Sequence, residues 1–156
     1  MSRKINARRA LVLSAVLASV LPCSGCNDRP ARYKVSGQVL IDGQPLTVGQ
    51  MIVVPEDARR ASAILDENGR FTLTSYDQDE PGDGVVPGTH KVGITAFENI
   101  GPNRLKWHAP KKYIDPETSG LTLTVTEDTE NAVINLTWEG GKPFMESDSG
   151  DTAPAP

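Results

Sequence analysis

The stretch Tyr33-Lys34-Val35-Ser36-Gly37-Gln38-Val39-Leu40-Ile41-Asp42-Gly43-Gln44-Pro45-Leu46 decides how this chain is read. Val35, Gly37, Val39 and Ile41 fall on one side of an extended backbone, with Lys34, Ser36 and Gln38 on the other. A period of two over that length marks a strand with one buried face. Asp42-Gly43 then supplies the pair that a tight hairpin turn prefers, because both central positions of that turn take positive φ.

The same pattern repeats outward along the chain. Residues 48–54 form a second apolar run, stopped by Pro55. Residues 62–65 and 70–75 read as strands on either side of Asp66-Glu67-Asn68-Gly69, a turn with glycine where φ is expected to be positive. Residues 76–88 read as a Gly/Pro/Asp-rich loop. Residues 89–97 alternate again, with Val92, Ile94 and Ala96 inward. An irregular stretch runs to Ser119, followed by strands at 121–126 and 132–138. Leu121, Leu123 and Val125 form one inner face; Ile134, Leu136 and Trp138 form the other. Only residues 56–65 offer a rival helix, with Ala58, Ala61 and Ile64 at helical spacing, and the direct run into the Asp66 turn favours strand. Seven short strands with turn chemistry between them predict an all-β chain, a seven-stranded antiparallel β-sandwich spanning residues 33–138. Residues 139–156, polar and ending in Pro154 and Pro156, read as a disordered tail.

The other end of the chain carries an address. Arg3, Lys4, Arg8 and Arg9 precede an uncharged run at 10–21, and Ser24-Gly25 stand directly before Cys26. This is the charged, apolar and small-residue order of a secretory signal peptide, assigned to residues 1–25. The apolar run is shorter than the ~18 residues a membrane span needs. Leu21-Pro22-Cys23-Ser24-Gly25-Cys26 resembles the lipobox of bacterial lipoproteins, departing from it at Cys23, where that family usually has Leu. The resemblance implies cleavage before Cys26 and acylation of its thiol with diacylglycerol. Residues 26–32 would then be a tether, and the protein would sit outside the cytoplasm on a bacterial membrane. A plain secreted protein is the alternative. The chain has 2 cysteines, so cleavage after Gly25 leaves one, and acylation would remove a lone thiol from an oxidising compartment. Arg8-Arg9 is followed by Ala10-Leu11, which favours a general secretion signal over a twin-arginine one.

Charge excludes one class of partner. Of 16 basic and 20 acidic residues, four basic ones precede Cys26, leaving 12 against 20 and a net charge of −8. A body this acidic is unsuited to nucleic acid, which demands a positive surface.

Four further segments resemble the carboxypeptidase regulatory-like domain, a transthyretin-like (prealbumin-like) sandwich. Val35-Ser36-Gly37-Gln38-Val39 with Asp42-Gly43-Gln44-Pro45-Leu46 looks like its opening strand and G-x-P-L turn. Asp66-Glu67-Asn68-Gly69-Arg70-Phe71 looks like its D-x-x-G-x-F hairpin. Pro87-Gly88-Thr89-His90-Lys91-Val92 looks like its P-G-x-Y-x-V segment, with His90 in place of the usual Tyr. The run from Tyr113 to Leu121 resembles a version found in small bacterial lipoproteins. The resemblance implies the fold and says little about activity, because this fold serves unrelated roles.

Catalytic motifs are missing from the sequence. His90 and His108 lie on separate segments without the spacing of a zinc peptidase, which needs two histidines and a carboxylate on the metal. No G-x-S-x-G elbow and no phosphate-cradling glycine loop occurs. No enzyme activity and no cofactor is expected. Asp77, Asp79, Glu80 and Asp83 could supply oxygens to calcium, but the twelfth position from Asp77 is Gly88 where an EF-hand needs Glu, so a solvated acidic loop is the preferred reading. Residues 103–113 bring Arg104, Lys106, Lys111 and Lys112 together with Trp107, His108 and Tyr113 and no acid. They are candidate ligand contacts, with rings to stack on sugars and cations to meet envelope polymers or another envelope protein. The alternative is a long connection that folds back and pins Trp107 on the sandwich. The expected protein is therefore a lipid-anchored envelope module that binds or supports without catalysing. The competing expectation is an accessory subunit of an envelope enzyme or transporter.

Overall fold

Val35, Gly37, Val39 and Ile41 are buried along the first strand while Ser36, Gln38 and Leu40 between them stay half-exposed, as the period of two requires. The computed structural model describes residues 31–77, 80–147 and 152–154; Cys26 and the signal segment lie outside the described residues. The strands are β1 (Val35–Ile41), β2 (Gln44–Pro45), β3 (Gln50–Val54), β4 (Ala61–Ile64), β5 (Arg70–Thr72), β6 (Thr74–Asp77) and β7 (Glu80–Asp83). They continue as β8 (Gly88–Thr95), β9 (Phe97–Gly101), β10 (Arg104–Trp107), β11 (Leu121–Val125), β12 (Thr129–Leu136), β13 (Phe144–Ser147) and β14 (Thr152–Pro154). A 3₁₀ turn at Lys111–Tyr113 is the one helical element among the described residues.

These strands build an all-β, sandwich-like body. In one sheet β1 is central, with β12 on one edge and both β2 and β5 on the other. A second, wholly antiparallel sheet runs β11-β8-β3-β4-β6-β7. Val39, Ile41, Phe71, Ile134 and Leu136 from the first sheet and Met51, Val53, Val92, Ile94, Leu123 and Val125 from the second form one shared core. A third sheet, β14-β13-β10-β9, is built from the segments that follow β8 and β12.

The turns obey the local chemistry. Asp42 and Gly43 both take positive φ, 47° and 80°, and β1 pairs back with β2 directly across them. The Asp66 carboxylate accepts the Asn68 and Arg70 amides, each at 2.8 Å, and Gly69 sits at φ +70°. Residues 61–64 form a strand, settling the ambiguity at 56–65 against a helix.

Five expectations are corrected. The sheets are not purely antiparallel: β1 and β12 run parallel, from Val35 beside Thr129 to Ile41 beside Leu136. Alternation fixes which face of a strand is buried, and it leaves the neighbour's direction open. The single strand expected at 70–75 divides at Leu73, so that β5 joins β1 while β6 joins β4. Residues 76–88 contain the second arm of a hairpin, with Asp77 paired to Glu80 and Thr74 to Asp83. The irregular stretch after residue 97 holds the β9–β10 hairpin. The tail is not uniformly unstructured either, since β13 adds to β10 and β14 adds to β13. Phe144 fastens β13 to β10 by setting its ring against that of Trp107.

The start of the body is fastened. Tyr33 and Val85 exchange backbone hydrogen bonds at 2.8 and 2.9 Å, and Arg32 Nη1 donates to the buried Ser75 hydroxyl at 2.5 Å.

Candidate functional site

Residues 103–113 owe their shape to β9 turning back at Gly101-Pro102-Asn103, with Asn103 at φ 54°. The returning β10 sets Trp107 opposite Phe97 on one side and Phe144 on the other. The three rings form a ladder: Phe97 to Trp107 at 5.2 Å and tilted, Trp107 to Phe144 at 6.1 Å and nearly parallel. Trp138 meets Phe144 edge-on at 6.4 Å and joins the ladder to the main core. Offset and edge-to-face contacts of this kind contribute roughly 0.5–1.5 kcal/mol each beyond their buried area.

The ladder leaves Trp107 only 6% exposed, and its Nε1–H donates to Glu146 Oε2 at 2.8 Å. Lys111 Nζ stands 4.8 Å above the Trp107 ring and reaches the other oxygen of Glu146 at 2.5 Å. The hydrogen bonds from Lys111 and then Trp107 hold the Glu146 carboxyl below its usual pKa. Lys112 bonds Glu139 at 2.5 Å and lies 4.9 Å over Tyr113; the Glu139 bond raises the pKa of Lys112. Tyr113 is 5% exposed, and its hydroxyl accepts the Thr137 amide at 3.1 Å while donating to the Thr137 carbonyl. His108 Nε2 and Glu98 Oε2 are 2.7 Å apart.

This arrangement revises the site. Trp107 and Tyr113, weighed as stacking platforms, are packed and hydrogen-bonded inside the body, in line with the alternative of a connection that folds back and pins Trp107. Lys111 and Lys112, expected as free positive charge, are paired with acids from the chain end. Arg104 and Lys106 lie on the face of β10 opposite Trp107, because successive residues alternate across a strand. Arg104 Nη2 lies 3.3 Å from the Met145 sulfur, and Lys106 sits between Glu98 and Met145 in register. Phe97, at 40% exposed, is the ring of this ladder most open to solvent. The sequence reading missed Phe97, Phe144, Glu139 and Glu146. Gly101-Pro102-Asn103 was the turn signal for the hairpin, and Phe144-Met145 was the apolar break in an otherwise polar end.

The calcium candidates fall on the β6–β7 hairpin. Asp79 lies outside the described residues, while Asp77 and Glu80 pair beside the turn of the hairpin and Asp83 pairs with Thr74 at its base. Among the described residues no three His, Cys, Asp or Glu side chains gather as a metal site. Cys26, the lipidation candidate, lies outside the described residues. No protein-family model and no curated protein matches this chain. The likeness to the carboxypeptidase regulatory-like domain therefore rests on the motifs quoted above.

Proposed function

We propose that this protein is a lipid-anchored, extracytoplasmic module of the bacterial cell envelope that binds or supports a partner and catalyses nothing. The observation that carries the reading is the order of residues 3–26, where a basic start, an uncharged run and Ser24-Gly25 lead to Cys26. A shared core and the four ordered motifs support a transthyretin-like sandwich of seven principal strands. The outward face of β10, with Arg104 and Lys106, supports contact with an anionic envelope polymer, while Lys111, Lys112, Trp107 and Tyr113 build the surface beneath it. A single acyl chain holds a protein to a membrane only marginally, so the anchor needs the diacylglycerol that a lipobox cysteine receives.

The test is intact-mass measurement and membrane fractionation of the full-length gene product. The parent is expected as a processed, acylated form in the membrane fraction, and Cys26→Ser as uncleaved precursor. An unmodified Cys26 in a soluble processed protein overturns the anchor.

A further inference from the structure

His90 is the departure from the aromatic residue that the resembling family places at this point, and it is only 5% exposed. Its Nε2 lies 2.7 Å from the Val86 carbonyl oxygen. A carbonyl only accepts, so Nε2 carries the hydrogen, and in the neutral ring Nδ1 holds the lone pair. Among the described residues the His90 side chain has no other hydrogen bond, yet no fully enclosed side-chain nitrogen or oxygen lacks a partner there. Nδ1 is therefore not fully enclosed, and His90 is one of the residues that line a cleft.

The cleft arises from the pairing of Val54 with Lys91, which brings the loop after β3 beside the start of β8. It measures about 420 Å³, within the range of small-molecule sites, and a smaller recess of about 190 Å³ adjoins it through Pro55, Glu56 and Thr89. Pro55, Ala58 and Val86 supply apolar wall, and Glu56 and Asp57 stand exposed at the rim. Lys91, which lines the smaller recess, is bound to Glu117 and also feels the charge of Glu56. One fixed acceptor, apolar walls and two carboxylates match one ligand chemistry.

We propose that this cleft binds a primary ammonium group on a short apolar chain. His90 Nδ1 accepts one ammonium hydrogen, Glu56 and Asp57 balance its charge, and Pro55, Ala58 and Val86 cover the chain. The net charge of −8 from Cys26 onward draws cations toward the body. The site is independent of the anchor at Cys26, so the fate of either leaves the other standing.

The test uses the ¹⁵N-labelled full-length chain in neutral detergent, titrated separately with butylammonium, butyrate and butanol. Butylammonium is expected to shift the His90 ring nitrogens and the Gly88 and Thr89 amides to saturation, with the other two at least tenfold weaker. His90→Gln is expected to weaken butylammonium at least tenfold. Because His90 is buried, the exposed pair Glu56→Gln with Asp57→Asn serves as a second variant with the same expected loss in a folded spectrum. A capped lysine peptide run in parallel decides whether the ammonium is taken as a free amine or as a protein side chain. Equal shifts from butanol or butyrate, or parent-like binding by the rim variant, overturn the proposal.

Discussion

Gly69 shows how much a single position can hold. Its φ of +70° is open to glycine, and a β-carbon there would stand 2.8 Å from the Val39 carbonyl oxygen. Gly69→Val is expected to cost roughly 1–3 kcal/mol, through backbone strain and the clash with β1. Thermal melting of the purified variant checks this, and an unchanged midpoint would refute it. Asp66, Gly69 and the Asp42-Gly43 turn were legible in the sequence because their partners lie within a few residues. Glu146 and Glu139 were not, since they reach Lys111 and Lys112 from 35 and 27 residues away. Nothing local distinguishes a paired lysine from a free one, and so the basic cluster read as more positive than it is.

At the level of elements, β13 shows how a polar segment is recruited into a sheet. Phe144 and Glu146 fasten it to β10, one through the ring ladder and the other through Trp107 and Lys111. Phe144→Ala is expected to loosen β13 at a cost of about 1–2 kcal/mol, since the ring is half-buried. Faster amide exchange at residues 144–147, with the core strands unchanged, is the readout. The polar fastening depends on pH. Glu146 is held below its ordinary pKa in the folded chain, so its contribution is complete above the ordinary carboxylate range and fades as pH falls through the lowered value. Acid titration should therefore speed exchange in β13 before the core responds, and Glu146→Gln should remove that step. Equal acid response in the variant would place the effect elsewhere. The hairpin of β9 and β10 was hidden from a period-based reading by the extra residue Ile100, which shifts the register between the strands and breaks the alternation of β9.

Across the whole molecule the body has two distinct ends. The chain enters at the Tyr33–Val85 clasp, β1 and β12 both run away from it, and the third sheet follows where β8 and β12 finish. A tether on residue 32 would hold the clasp end near its attachment and leave Arg104 and Lys106, on the β10 face opposite Trp107 and Phe97, toward the far end. Arg104→Gln with Lys106→Gln is expected to lower retention of the full-length protein on isolated cell-wall material several-fold at low salt, with the difference vanishing at moderate salt as screening sets in. Identical retention at low salt would leave that face without a binding role. The parallel union of β1 with β12 carries a further consequence for how the chain is made. Lys34 and Asp128, hydrogen-bonded in the finished fold, are 94 residues apart in sequence. A chain emerging from its amino end cannot complete its first sheet until almost all of it has emerged, and closing so long a loop is slow. The opening strand must wait, pliant and unpaired on one edge, for the last core strand to arrive. A polypeptide threaded through a narrow translocation pore has to stay pliant for the same interval.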